Sequence, residues 1–221
     1  MDGAKIQLSP EEKQLISNSE WILTKNAVLA KVNALLALVL DEQMNWINVN
    51  KELFHPSLFA PPAKISRGEN YGGLPYLVLD HPRVFGKPDT CVIRTFFWWG
   101  NYFSTTLQLE GSYRQRAEPR IVAAYEMMGK RNFLLGISTD RWQHRIDSAH
   151  YKPVKEFSST AFGQMVSELP FIKISSLMRL DQWDDALQKL GDDFRVLASI
   201  LSSPAGETDL SPGDPKAGFG P

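Results

Sequence analysis

The sequence has a single cysteine and almost no net charge, and each absence excludes a class of protein. Cys91 alone cannot form an internal disulfide or a thiolate zinc site. Lysine and arginine number 24 and aspartate and glutamate 25, so the formal net charge is -1. The chain therefore lacks the long-range attraction that nucleic-acid-binding proteins use, and we expect no nucleic-acid partner.

Long apolar runs are also missing. The most apolar stretch, from Ala27 to Leu40, is interrupted by Lys31 and Asn33. It is shorter than the roughly 20 apolar residues that a membrane span needs. Residues 1–12 contain charged side chains and no apolar signal-peptide core. Together with the lone cysteine, these features predict a cytoplasmic protein that does not enter a membrane.

Motifs for catalysis, cofactors and metals are scarce. The chain has no G-x-S-x-G elbow and no phosphate-binding glycine loop. Its histidines follow no metal-binding spacing; they are His55, His81, His144 and His150. In the last predicted helix, Asp181 suits the N-terminus, whereas Asp192 and Asp193 are expected opposite the apolar stripe. We therefore expect neither a metal nor a cofactor.

The composition is that of a folded domain, with 43% hydrophobic and 22% charged residues. We predict a single α+β domain over residues 1–202. Proline, glycine and aspartate dominate the remainder, so residues 203–221 are expected to form a disordered tail.

Helices are predicted at both ends of this domain. Ser9-Pro10-Glu11-Glu12 has the pattern of a capping box, which starts a short helix that ends near Ser17. A longer helix follows from Asn18 or Ser19, with apolar residues spaced by three, four and seven. We expect it to be covered by protein or to form a homodimer contact. The last helix has the clearest amphipathic pattern, including Leu190, Phe194 and Leu197.

The middle of the chain predicts strands. One runs over Leu74–Asp80 and ends at His81-Pro82, and residues 48–73 before it look like a loop. Cys91–Trp99 and Tyr102–Leu109 form a hairpin around Gly100-Asn101. The first hairpin strand is apolar on both faces, which is typical of a central strand. The predicted fold is therefore α+β, a mostly antiparallel sheet with two N-terminal helices and a C-terminal amphipathic helix packed on it.

One charged residue nominates a candidate site. Arg94 lies on the strand Cys91–Trp99, which is apolar on both faces, and a buried guanidinium needs an anionic companion. Either Glu69 or Asp80 supplies the negative charge, or a ligand supplies it. Nearby polar and aromatic residues complete the candidate ligand-binding set, which is Arg67, Glu69, Asn70, Tyr71, Asp80, Arg83, Arg94, Trp98 and Asn101. The alternative is structural, with a protein ion pair and aromatics that fill the core.

Two segments resemble a group of uncharacterised bacterial proteins. The first is Ser66-Arg67-Gly68-Glu69-Asn70-Tyr71 with the Leu74-Pro75-Tyr76 that follows it, and the second runs from Arg94 to Asn101. The resemblance covers the middle of the chain and the leading helices. It implies no activity, so no catalytic or binding residue is carried over.

Three functions remain open. The first is a binding or interaction module whose pocket accepts a small anionic ligand. The second is a hydrolase or transferase, with Glu69 or Asp80 as general base and Arg67 or Arg94 stabilising negative charge. The third is an oligomeric scaffold that associates through the leading helices.

Overall fold

The computed structural model describes residues 6–202, and the predicted tail at residues 203–221 lies outside them. The helices are α1 (Pro10–Ile16), α2 (Ser19–Val49), α3 (Gly111–Ala123), α4 (Tyr125–Lys130), α5 (Ser159–Glu168) and α6 (Ala186–Ser199). The strands are β1 (Lys64–Tyr71), β2 (Leu74–Phe85), β3 (Thr90–Trp98), β4 (Tyr102–Glu110), β5 (Leu134–Gly136), β6 (Tyr151–Pro153) and β7 (Phe171–Arg179). Short 3-10 turns lie at Lys51–Leu53, Pro56–Leu58, Val154–Glu156 and Leu180–Asp185.

The seven strands form one antiparallel sheet in the order β1-β2-β3-β4-β7-β5-β6. This confirms the predicted α+β class with two leading helices and a closing helix. We call the side of the sheet that carries α2 and α6 the helix face. The opposite side is the loop face, because residues 137–150, between β5 and β6, lie against it. We call those residues the covering loop.

The leading helices form for the reasons that the sequence suggests. Ser9 caps α1, and its side chain and that of Glu12 form the reciprocal hydrogen bonds of a capping box. Asn18 caps α2 through the backbone N–H of Trp21, at 3.3 Å. The break between α1 and α2 therefore consists of Ser17, which ends α1, and Asn18, which caps α2.

Helix α2 has 31 residues and packs on the helix face through one apolar stripe. Leu29, Val32, Leu36 and Val39 are buried and share a core cluster with Leu77 and other residues of β2, β3, β4 and α6. By length and composition alone, α2 could cross a membrane. Its stripe packs against the sheet and α6, and 22% of its most apolar 18-residue window is buried. The compact α+β fold is compatible with a soluble protein.

Strand β3 is buried on both faces, as its apolar pattern predicts. Its neighbour β4 is more surprising, because every residue from Tyr102 to Glu110 is buried, including the polar ones. The polar side of β4 belongs to the loop face. The covering loop shields that side from solvent, so the sheet is sandwiched between two layers.

The prediction of a loop over residues 48–73 is wrong at both ends. Helix α2 continues to Val49, and residues 64–71 form the edge strand β1. β1 pairs with β2 from Lys64 opposite Asp80 to Gly68 opposite Tyr76. A Cβ at Gly68 would overlap the Tyr76 ring, so glycine leaves room for that ring. The polar residues of β1 hid this strand from the hydrophobic pattern.

The predicted end of a strand at Asp80 is also wrong. β2 continues to Phe85, and the register shifts between Asp80 and Arg83. The shift leaves Pro82 outside the ladder, where its missing N–H costs no hydrogen bond. The strand therefore continues past Pro82 because the proline lies in a bulge, although the sequence pattern predicts a strand end there.

Asp193 departs from its predicted position opposite the apolar stripe of α6. It is 2% exposed and lies over the helix face, where it accepts a hydrogen bond from Ser176 of β7. Lys189, one turn earlier, donates to both of its carboxylate oxygens at 2.6 and 2.8 Å. The buried carboxylate is therefore matched by one cation.

Two substitutions two residues apart, on opposite sides of α2, test how the helix is docked. Leu36→Ala removes a side chain that is fully buried, and we expect it to lower the free energy of unfolding by about 2–5 kcal/mol. Leu38→Ala removes a side chain that is 52% exposed, and we expect a change of about 0.5 kcal/mol or less. Urea denaturation of both variants measures the difference, and equal costs would mean that α2 packs on another face.

Candidate functional site

The centre of the loop face holds a bidentate ion pair. Asp80 and Arg94 are directly opposite each other on β2 and β3. Arg94 Nε donates to Asp80 Oδ1 at 2.8 Å, and Nη2 donates to Oδ2 at 2.9 Å. Their side chains are only 8% and 18% exposed, for Asp80 and Arg94 respectively. The anionic companion that Arg94 requires is therefore a protein carboxylate. The carboxylate and the guanidinium bind each other and do not line an open cleft.

His144 of the covering loop completes the coordination of Arg94. Its Nε2 lies 2.8 Å from Arg94 Nη1, and because arginine only donates, Nε2 is the acceptor. Burial lowers the pKa of His144 to about 3, and the charges of Arg94 and Lys173 act in the same direction. His144 is therefore neutral near pH 7, with its proton on Nδ1.

Lys173 is the most unusual cation on this face. It lies on β7, is 2% exposed, and donates from Nζ to the carbonyl oxygen of Gln143 at 2.8 Å. Within residues 6–202, no carboxylate contacts it at salt-bridge distance. Burial lowers its pKa to about 8, with a further contribution from Arg94, while the charges of Asp140 and Glu110 partly oppose that shift. A buried ammonium is thus held by a backbone carbonyl.

A second buried carboxylate lies beside Lys173 on the next strand. Glu110 is 7% exposed and accepts a hydrogen bond from Arg141 of the covering loop at 2.7 Å. Gln108 Nε2 donates to its other oxygen at 3.3 Å. Thr106 and Ser175 continue the polar surface through a hydroxyl pair at 2.8 Å. The loop face thus joins three cations, two carboxylates and several hydroxyls.

Two tyrosines hold the covering loop in place. The hydroxyl of Tyr71 donates to the side chain of Gln143 at 2.9 Å and accepts from the backbone N–H of His144 at 3.0 Å. The hydroxyl of Tyr102 accepts from Ile146 N–H at 2.7 Å, and burial raises the pKa of Tyr102 to about 12. Both phenols therefore stay protonated and act as latches between sheet and loop.

Four predicted site residues come together on the loop face. Asp80 and Arg94 form the ion pair, and Tyr71 and Trp98 lie in the adjoining aromatic cluster with ring centroids 5.1 Å apart. Trp98 Nε1 donates to the backbone carbonyl of Tyr71 at 2.9 Å. These aromatics pack in a core cluster that Ile146 of the covering loop completes.

The other predicted residues lie apart from that centre. Arg67 and Glu69 are exposed on the edge strand, and Glu69 pairs with Lys25 of α2 at 2.7 Å. Asn70 and Asn101 serve turns, through Gly73 N–H at 3.1 Å and the carbonyl of Trp99 at 2.8 Å. Arg83 lies beyond the bulge, with its guanidinium carbon 5.9 Å from the centroid of the Phe85 ring. Five of the nine residues are thus placed elsewhere.

Sequence reasoning missed Lys173, His144, Glu110 and Arg141. A signal for Lys173 was present, because Phe171-Ile172-Lys173-Ile174 places a cation in an apolar strand just as Arg94 is placed. No comparable signal exists for His144 or Arg141, because their loop has no periodic pattern. Their positions follow only from where the covering loop settles on the sheet.

Other candidates for chemistry are poorly placed. Cys91 is buried in the helix-face core, and burial raises the pKa of its thiol. Within residues 6–202, no three side chains of His, Cys, Asp or Glu converge as a metal site would require. Two surface depressions lie away from Arg94. One, of about 300 Å³, is lined by α4 and Lys155, and the other, of about 280 Å³, by the start of α2 and Trp99.

Comparison with protein-family models, curated proteins and solved structures finds no match. The function must therefore be argued from the loop face itself.

A double-mutant cycle tests the central ion pair. We expect Asp80→Leu and Arg94→Met each to lower the free energy of unfolding by about 3–5 kcal/mol, because each strands the opposite charge in a buried site. The double variant is expected to lose clearly less than the sum of the two. Chemical denaturation of all four proteins gives the coupling energy, and strictly additive losses would contradict the pair.

The buried neutral histidine predicts a pH dependence. Between about pH 6.5 and pH 3, an unfolded His144 binds a proton that the folded chain does not, so stability falls as the pH is lowered. His81, whose pKa burial lowers to about 4, acts in the same direction. We expect the loss of unfolding free energy from pH 7 to pH 4.5 to be about 2–3 kcal/mol smaller in His144→Gln. Urea denaturation at both pH values measures it, and identical losses would refute a buried neutral His144.

Proposed function

We propose that this protein is a cytoplasmic ligand-binding protein, and that the loop face accepts a small molecule bearing a carboxylate or phosphate group. The observation that supports the proposal is the buried ammonium of Lys173. Desolvating an ion costs several kcal/mol, and a hydrogen bond to one carbonyl oxygen offsets little of that cost. An anionic oxygen in place of the Gln143 carbonyl would stabilise the ammonium much more.

The charges around Lys173 favour an anion over a cation. Arg94 and Arg141 each have a carboxylate partner, in Asp80 and Glu110. Lys173 is the third cation of the group and has none at salt-bridge distance within residues 6–202. Asp140 and Glu110 offset the charge of Lys173 only from beyond that distance, so its ammonium has no direct anionic contact within those residues.

The covering loop provides a route of entry. Residues 137–150 form turns and irregular backbone. Side-chain hydrogen bonds, the Arg141–Glu110 ion pair and the partly buried Ile146 attach them to the sheet, and within residues 137–150 no strand hydrogen-bonds to it. Trp142 and Arg145 on its outer surface are exposed. In this proposal the loop swings away, Lys173 releases the Gln143 carbonyl, and the anionic group of the ligand takes its place.

The general-base alternative receives less support from the geometry. Both carboxylate oxygens of Asp80 accept from Arg94, and the side chain is only 8% exposed, so a substrate has little access to it. Glu69 lies at the sheet edge and pairs with Lys25. A base must reach the proton that it abstracts, and neither carboxylate is free to do so in this arrangement.

Lys173→Met tests the proposal in two ways. If Lys173 serves a ligand, its replacement leaves the free protein equally stable or more stable, because a desolvated charge is removed. If Lys173 is a structural tether for Gln143, the variant loses stability instead. Thermal unfolding without added ligand separates these outcomes.

Ligand response gives the second readout. Wild type, Lys173→Met and the exposed-lysine control Lys130→Met are melted with phosphate, acetate, succinate and citrate at matched ionic strength. We expect at least one anion to raise the melting temperature of wild type and Lys130→Met but not of Lys173→Met, because binding stabilises only a protein that has the site. General salt effects act on all three proteins alike. The same shift in all three would reject the proposal, as would no shift in wild type.

A further inference from the structure

Exposed apolar side chains are concentrated in the leading helices. Eleven of the fourteen large apolar side chains exposed within residues 6–202 belong to residues 6–53. They are Ile6, Leu8, Leu15, Ile16, Trp21, Ile22, Leu23, Leu38, Met44, Val49 and Leu53. Within the described residues, α1 buries none of its side chains. Such clustering marks an interaction surface rather than the scattered exposure that is normal for a monomer.

The outer side of α2 has the spacing of a coiled-coil seam. Between residues 27 and 48, exposed residues recur at alternating intervals of four and three, opposite the stripe that packs on the sheet. They are Ala27, Lys31, Ala34, Leu38, Asp41, Asn45 and Asn48. Residues at this spacing lie along one side of a helix, so a second helix can pack lengthwise against them.

The two charges in the seam specify the partner and its direction. Lys31 and Asp41 lie five residues before and after Leu36. A parallel second copy would oppose lysine to lysine and aspartate to aspartate. An antiparallel copy, with its two-fold axis level with Leu36, places each Lys31 against Asp41 of the other copy. We propose that α2 docks in this antiparallel way on α2 of a second copy of the chain.

The same register matches the sizes of the exposed side chains. It sets Ala34 opposite Leu38, and on one flank Ala30 opposite Met44. On the other flank it sets Trp21, which is 49% exposed, opposite Val49, which is 83% exposed. In these three pairs, a large side chain meets a small or an apolar one, and the alanines let the two backbones approach closely. A register chosen to pair the charges also covers four exposed apolar side chains of α2.

The expected contact is modest in size. A helix of 31 residues is about 46 Å long, so a strip about 10 Å wide removes roughly 900 Å² from the two copies together. This is at the lower limit for a specific interface, so we expect a weak dimer that forms with rising concentration. A lipid surface is the less favoured occupant, because Glu11, Glu12 and Glu20 line the same segment and repel anionic headgroups.

Sedimentation velocity of the full chain over a concentration series of about 1–200 μM tests the proposal. We expect wild type to shift from monomer to dimer. Lys31→Asp and Asp41→Lys should each weaken dimerisation at least tenfold, because each places like charges together. The double variant Lys31→Asp with Asp41→Lys restores the opposite pairing and should dimerise like wild type. Lys130→Asp, on the exposed side of α4, is the control and should not alter it.

The remaining outcomes all count against the proposal. A wild type that stays monomeric over the whole series overturns it, and single variants that dimerise like wild type overturn the register. Failure of the double variant to recover, while its circular dichroism and melting temperature match those of wild type, overturns it as well. Sedimentation with phosphatidylcholine and phosphatidylserine vesicles adds one more result. A monomer that binds these vesicles through Leu38, as shown by loss of binding in Leu38→Asp, assigns the surface to lipid instead.

Discussion

The Asp80–Arg94 pair is the interaction on which the loop face depends. It joins β2 to β3 at the position where β2 is about to bulge, and it directs the third donor group of Arg94 towards His144. A buried ion pair contributes little net stability, but breaking it is costly because the remaining charge stays buried. Its main effect is therefore to specify one arrangement, in which the strand register and the position of residues 137–150 are set together.

The two faces of the sheet bury polar groups in different ways. On the helix face, the carboxylate of Asp193 is matched by one lysine, Lys189, and one hydroxyl, Ser176, so the charges balance. On the loop face, Lys173 donates to a backbone carbonyl and has no carboxylate at salt-bridge distance within residues 6–202. A folded chain can satisfy its own buried charges, as the helix face demonstrates. The contrast between the two faces supports the proposal that Lys173 contacts an anionic ligand.

The sequence predicts those elements whose hydrophobic period is regular. The capped leading helices, the central strand around Arg94 and its hairpin all followed from spacing, and so did the need for a companion to Arg94. The edge strand was missed because Lys64, Arg67 and Glu69 give it no apolar period. The bulge hid the second half of β2. His144 and Arg141 reach the site only through an irregular loop, whose path depends on tertiary contacts that no local pattern encodes.

The polar residues of β1 have a second consequence, because β1 is the edge strand of the sheet. A strand at this position leaves half of its backbone donors and acceptors unpaired, and another extended chain can add to them. Lys64, Arg67 and Glu69 all reach solvent from β1. An incoming strand would have to desolvate these charges, which discourages fibrous stacking of one molecule on the next. Arg67 and Glu69, nominated at first for recognition, thus help to keep the sheet finite.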